Sequence, residues 1–237
     1  MSTIAERYVK VSAQVAEAAR RAGRDPREIT LIAVSKTKPI EAVREAFDGG
    51  ARLFGENYVQ ELVAKADALP EAEWHFIGQL QSNKIRALIG RVACIHSVDR
   101  EKLVAEISRR SVAAGVTTDV LIEVNIGGEA SKSGVAPGDL LPLARAAAAA
   151  PGVRLRGLMA IPQAVGDAED ARPAFRALAQ LLDDLRGADL RDGPLDMLSM
   201  GMSHDFEVAI AEGATHVRVG TAIFGERAYP PQAAERP

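Results

Sequence analysis

Lys36 directly follows the apolar, β-branched run Thr30-Leu31-Ile32-Ala33-Val34-Ser35, where a long cation is costly unless it is paired or neutralised. Burial and a neighbouring cation both lower an amine's pKa, so a strand-end lysine is a natural Schiff-base former. The same place also suits a lysine whose stem lies along apolar surface while its head reaches water. Lys38, two residues on, reads as a solvated loop residue. Near the other end of the chain, Ser199-Met200-Gly201-Met202-Ser203 and Gly220-Thr221 bring together small residues, hydroxyls and accessible amides. Glycine lets backbone approach an anion, and a helix beginning near Phe206 would add its positive dipole end, so these segments form a candidate phosphate corner. Arg218 alternates with Val217 and Val219. If the valines pack outward, the guanidinium points inward, toward a carboxylate such as Glu56 or a bound ligand.

These residues need a scaffold that gathers them. Ile4 to Ala22 reads as a helix, with Ile4, Tyr8, Val11, Val15 and Ala18 at helical spacing and Gly23 closing it. Eight short strand-like runs follow: Thr30 to Ser35, Arg52 to Gly55, Trp74 to Ile77, Val92 to Ser97, Asp119 to Asn125, Arg154 to Met159, Leu195 to Met200 and His216 to Val219. Helical stretches or Gly/Pro-rich connectors separate them, including the polar loop from Ala130 to Gly138. The alternation predicts an α/β protein with a single (β/α)8 TIM-like barrel, an extra N-terminal helix, and one domain over residues 1–237. A doubly wound open sheet is the rival, but its first turn usually carries glycines, and Ser35-Lys36-Thr37-Lys38-Pro39 has none. In barrels, functional residues sit at the C-terminal strand ends. Lys36, Glu56, Asn57, Gly78, Gln79, Asn125 and the Ser199 to Ser203 segment all fall there.

Composition narrows the function classes. A net charge of -3, with opposite charges interspersed over 237 residues, offers no basic face for nucleic acid or anionic membrane. No apolar run approaches the roughly 20 residues that span a bilayer, and no leader precedes the first helix, so a cytoplasmic protein is expected. Cys94, the single cysteine, lies in an apolar run and reads as a buried filler. His75 and His96 lie among apolar strand residues and read as satisfied core histidines. No HExxH or His/Cys cluster points to metal. Met200 and Met202 are expected to pack beside the ligand.

Four stretches together resemble a known family. They are Ala33 to Lys38, Phe54-Gly55-Glu56-Asn57-Tyr58, the long Trp74 to Lys84 segment, and Leu198 to Asp205 with Val217 to Gly225. The chain is similar over nearly its whole length to the pyridoxal phosphate homeostasis protein family, whose barrel is similar to the N-terminal domain of bacterial alanine racemase. The resemblance implies that Lys36 carries pyridoxal 5′-phosphate as a Schiff base and that Ser203, Gly220 and Thr221 hold the phosphate. It also implies that Arg218 faces the pyridine nitrogen, with Asn57 beside the ring and Met200 packed against the cofactor.

An arginine at the pyridine nitrogen is a permanent donor, which keeps that nitrogen unprotonated and weakens the ring as an electron sink. Racemases of related fold add a tyrosine base from another domain, and no second domain follows the barrel before Pro237. Tyr8, Tyr58 and Tyr229 do not clearly fill that role. One cofactor face is therefore expected to be open. A monomeric carrier serving vitamin B6 homeostasis and pyridoxal-phosphate-dependent apo-enzymes is favoured over a racemase-like enzyme or a cofactor-free class I aldolase.

Overall fold

The β-branched runs pair edge to edge in chain order. A computed structural model describes residues 2–129, 132–163, 166–188, 190 and 193–226. The strands are β1 (Thr30–Val34), β2 (Leu53–Glu56), β3 (Glu73–Phe76), β4 (Cys94–Val98), β5 (Thr118–Glu123), β6 (Val153–Met159), β7 (Met197–Met202) and β8 (His216–Val219). Each is parallel to the next, and β8 closes onto β1 with Ile32 opposite Arg218 and Ala33 opposite Val219. The predicted barrel is therefore present, with strand ends displaced from the sequence reading by a residue or two.

Outside the strands run α1 (Ile4–Arg21), α2 (Ile40–Asp48), α3 (Val59–Ala68), α4 (Glu101–Ala114), α5 (Leu140–Ala149), α6 (Arg172–Gly187), α7 (Phe206–Ala211) and α8 (Thr221–Phe224). After β3 the connection is a 3-10 segment, Ser82–Ala87. The extra helix has a structural reason. The six-residue α7 and four-residue α8 are too short to cover the closing strands, and the eighteen-residue α1 packs against both and against α2. It buries Val11, Val15, Ala18 and Ala19, is capped by a Thr3/Glu6 capping box, and is tied on by Arg7 Nε donating to the Ile223 carbonyl at 2.6 Å. Among the described residues no helix is long and apolar enough to cross a membrane.

Strand alternation divides the core. Outward residues such as Phe54, Val217 and Val219 join the helices in the main apolar cluster, while Cys94, Leu121, Met159 and Met197 form a separate cluster inside the barrel. Cys94 is the buried filler expected, and burial pushes its thiol pKa well up. Gly157, at φ 150°, permits the closest strand approach: a Cβ there would lie 1.8 Å from the Met197 carbonyl oxygen.

Two histidines inside the barrel make stability depend on pH. Burial holds His216 down to about 3 and His96 well below the imidazole range, while both would titrate near ~6.5 in the unfolded chain. A base with a depressed folded pKa takes up its proton only on unfolding. Stability is therefore full above that unfolded value and is lost as pH falls below it, at up to ~1.4 kcal/mol per pH unit for each histidine. Urea denaturation is expected to show falling stability from about pH 7 to about pH 5, above the main carboxylate range. His216→Gln should flatten the slope; an identical slope in that variant would contradict the assignment.

Candidate functional site

The C-terminal mouth of the barrel holds a cavity of about 280 Å³. Six of the seven residues singled out from sequence line it: Lys36, Asn57, Ser203, Arg218, Gly220 and Thr221. Closure of β8 on β1 explains the meeting, because it sets the end of the first strand beside the end of the last. Met200 is the exception. It is fully buried in the main apolar cluster, while Met202, also expected beside the ligand, does line the cavity. Met200 faces the helices by plain alternation with the inward Ser199, and a bulge turns Met202 inward: Ser199 pairs with His216 but Met202 with Arg218, so β7 carries one extra residue there. Gly201, at φ 87°, lies in the bulge, and a Cβ on it would come within 2.5 Å of the Ala209 Cβ. Val34, Ile77, Ile161 and His204 also line the cavity and were not foreseen. The first three look like ordinary core residues, and nothing in their type signals a ligand wall.

Lys36 is half-buried and sits on a clamped loop. On the outer side of the sheet, Lys65 from α3 donates to Glu56 Oε1 at 2.6 Å, to the Ser35 carbonyl at 2.8 Å and to Glu61 at 3.1 Å. The Ser35 hydroxyl donates to the same Glu56 oxygen, and Glu61 accepts the Thr37 amide at 2.8 Å. Both backbone neighbours of Lys36 are thus held. Thr37 has φ 64°, a costly conformation for a β-branched residue. Burial raises the Glu56 pKa, and the Lys65 ammonium opposes the rise. Of the two acceptors offered for Arg218, a carboxylate such as Glu56 or a bound ligand, Glu56 is ruled out, because it pairs with Lys65 on the outer side of the sheet. Lys38 is not simply solvated either, since its Nζ donates to the Glu226 carbonyl at 2.8 Å.

Arg218 does point inward, with Val217 and Val219 packed outward. Its guanidinium donates to Ser199 Oγ at 2.7 Å and to the Ala160 carbonyl at 3.0 Å. Burial brings it down to about 10, with Asp205 and Glu123 pulling upward, so it stays charged at neutral pH. Ser199 therefore belongs to the barrel interior and not to the anion corner. At that corner, Ser203 Oγ accepts from the amides of Gly220 at 3.3 Å and Ala222 at 3.5 Å. These donors come from the start of α8, not from the helix beginning at Phe206. They form a small nest of N–H groups such as phosphate oxygens take. Asn57 also lines the cavity, and its Oδ1 is buried with no hydrogen-bond partner among the described residues. The cavity thus joins an amine, a fixed cation, an anion nest and an orphaned amide oxygen, which fits a small phosphorylated carbonyl compound. His75 and His96 are satisfied core histidines, as expected, and hydrogen-bond to each other at 2.9 Å.

Residues 10–228 match the family model "Alanine racemase, N-terminal domain". A protein of Pseudomonas aeruginosa named pyridoxal phosphate homeostasis protein is 51% identical over 97% of this chain and 98% of its own. This chain belongs to the pyridoxal phosphate homeostasis protein family. PipY of Synechococcus elongatus, solved with PLP bound, is 37% identical to this chain with a TM-score of 0.77, covering 89% of this chain and 100% of its own. Alanine racemase of Corynebacterium glutamicum shares the fold alone, at 17% identity and TM-score 0.68, over 94% of this chain and 62% of its own. Among the described residues no group of His, Cys, Asp and Glu could hold a metal ion. Tyr229 lies outside the described residues.

The clamp behind Lys36 should be necessary for stability in this family member. Lys65→Ala leaves Glu56 buried and unpaired and is expected to cost ~3–5 kcal/mol in urea denaturation. Replacing both partners, as Glu56→Gln with Lys65→Met, should cost less than that single change. A Lys65→Ala protein as stable as the parent would remove the clamp from the account.

Proposed function

We propose that this protein binds pyridoxal 5′-phosphate covalently through Lys36 Nζ and serves intracellular homeostasis of that cofactor, as a cytoplasmic, single-domain, monomeric carrier supplying apo-enzymes. The carrying observation is the convergence in one cavity of Lys36, Arg218 and the amide nest around Ser203. When bound, the cofactor supplies an aldehyde and an electron-withdrawing ring. Lys36 would supply the amine that holds that aldehyde, with water as the product released. Ser203, Gly220 and Thr221 hold the phosphate, with the backbone amides of the nest as donors. Asn57 lies beside the ring, where its unpartnered Oδ1 can accept. Arg218 faces the ring nitrogen as a donor that does not give up its proton, which handicaps carbanion chemistry. The name of the Pseudomonas relative and the bound PLP of PipY support this reading.

Transfer without turnover is supported by what lines the cavity. No described tyrosine does: Tyr58 is exposed beside a neighbouring depression, and Tyr8 lies in α1. The cavity opens past His204 and Ile161, the latter 40% exposed, so a bound cofactor would remain accessible to water. That suits release better than protection of a carbanion.

Protein as isolated, or loaded with pyridoxal 5′-phosphate, is expected to show a visible absorbance band that borohydride bleaches. Lys36→Ala should lose the band while keeping its melting temperature, and Ser203→Ala should weaken binding ~5–10-fold. A normal band in Lys36→Ala would move the attachment to another lysine. With amino acids in deuterated water, α-proton loss at about 1 per second or faster would replace the carrier reading by an enzymatic one.

A further inference from the structure

Behind Arg218 a line of polar side chains runs through the barrel to its opposite rim. Arg218 Nη1 lies 2.7 Å from Ser199 Oγ, and Ser199 Oγ lies 3.0 Å from His96 Nδ1. His96 Nε2 lies 2.9 Å from His75 Nδ1, and His75 Nε2 lies 3.3 Å from Glu73 Oε1. Ser199 and His96 are fully buried, and Arg218 and His75 nearly so, whereas the Glu73 side chain is 58% exposed. The residues sit on β8, β7, β4 and β3. β7 and β4 are not neighbours in the sheet, so the Ser199–His96 link crosses the barrel interior.

The two ends decide where every proton lies. A guanidinium can only donate, and an ionised carboxylate can only accept. If Arg218 donates to Ser199, the Ser199 hydroxyl proton is free for His96 Nδ1. His96 then carries its proton on Nε2 and donates to His75 Nδ1, and His75 donates from Nε2 to Glu73. Both imidazoles are neutral and each atom in the line has one role. The reverse order gives the Ser199 oxygen two donors and leaves its own proton without an acceptor in this set. It also needs His75 as an imidazolium to keep a donor toward Glu73. Burial opposes a second charge there, with His96 at ring-centroid distance 4.9 Å and His216 at 6.2 Å. In the favoured order the Ser199 oxygen, having spent its proton, is the better acceptor for Arg218.

We infer that Ser199, His96 and His75 are positioning residues for Arg218: a one-way chain of hydrogen bonds, ending at Glu73 on the far rim, holds the guanidinium toward the cavity. The inference rests on the proposed binding reading only for what Arg218 then faces; the chain itself belongs to the protein without ligand. The residues that gather the anion, Ser203, Gly220 and Thr221, follow the ends of β7 and β8 and are not links of this chain.

Two measurements test it. In cofactor-free protein, imidazole 15N resonances at neutral pH should show His96 and His75 both as neutral Nε2–H tautomers. A proton on His96 Nδ1 would overturn the direction of the chain, and this readout needs neither a variant nor a cofactor. In protein loaded with pyridoxal 5′-phosphate, Ser199→Ala should shift the pH midpoint of the visible band by half a unit or more, about threefold in the proton equilibrium. Ser199→Thr, which keeps the hydroxyl, should restore the parent midpoint. Equal midpoints in parent and Ser199→Ala would overturn the positioning role. Absence of the band in the parent protein would count against the binding reading instead, and would leave the tautomer result to judge the chain.

Discussion

The pairing of β8 with β1 is the contact on which everything functional depends. A parallel strand must return by a crossover, so a chain of eight such units places its first and last strands at distant sequence positions. Closure removes both exposed edges and puts Ile32 opposite Arg218 and Ala33 opposite Val219. The amine of Lys36 and the amides around Gly220 become neighbours through that register alone. The helix layer is thin here, because α7 and α8 are short, and α1 covers the gap. The N-terminal helix therefore belongs to the scaffold of the cavity even though it contributes no lining residue.

The barrel handles its buried charges in two opposite ways. Outside the sheet, Glu56 and Lys65 neutralise each other, and the pair is directed at the backbone on both sides of Lys36. Inside, Arg218 has no direct carboxylate partner among the described residues and is held by neutral acceptors, a hydroxyl and a carbonyl. A carboxylate touching the guanidinium would satisfy it fully and leave less of its field for a ligand. Neutral acceptors fix its direction while its charge remains available to the cavity. The amine-bearing loop after β1 is thus anchored from behind, and the cation on the adjoining strand β8 is anchored from inside the barrel.

The strand count, the barrel and seven of the cavity residues, Met202 among them, were legible in the sequence, and the reasons are local. Apolar alternation marks strands, glycine and serine pairs mark tight backbone, and Val217-Arg218-Val219 assigns Arg218 to the inner face by parity. Met200 was misplaced because it alternates with the inward Ser199 and so faces the helices, while one extra residue in β7 turns Met202 toward the cavity. A bulge carries no clear signal when its glycine, Gly201, also reads as part of a phosphate turn. The apolar lining residues Val34, Ile77 and Ile161 were missed because a hydrophobic side chain is the same object in a core and in a ligand wall.

Sequence by itself determined which residues could do chemistry and that they would collect at one end of a barrel, since residue type and strand period depend only on near neighbours in the chain. Partner choice was decided by tertiary structure alone. Glu56 turned out to belong to Lys65, Ser199 to Arg218 and His96, and the amides at Ser203 to α8. Each of those assignments depends on inter-strand register and on distances of about 3 Å between residues far apart in sequence, which local pattern does not encode.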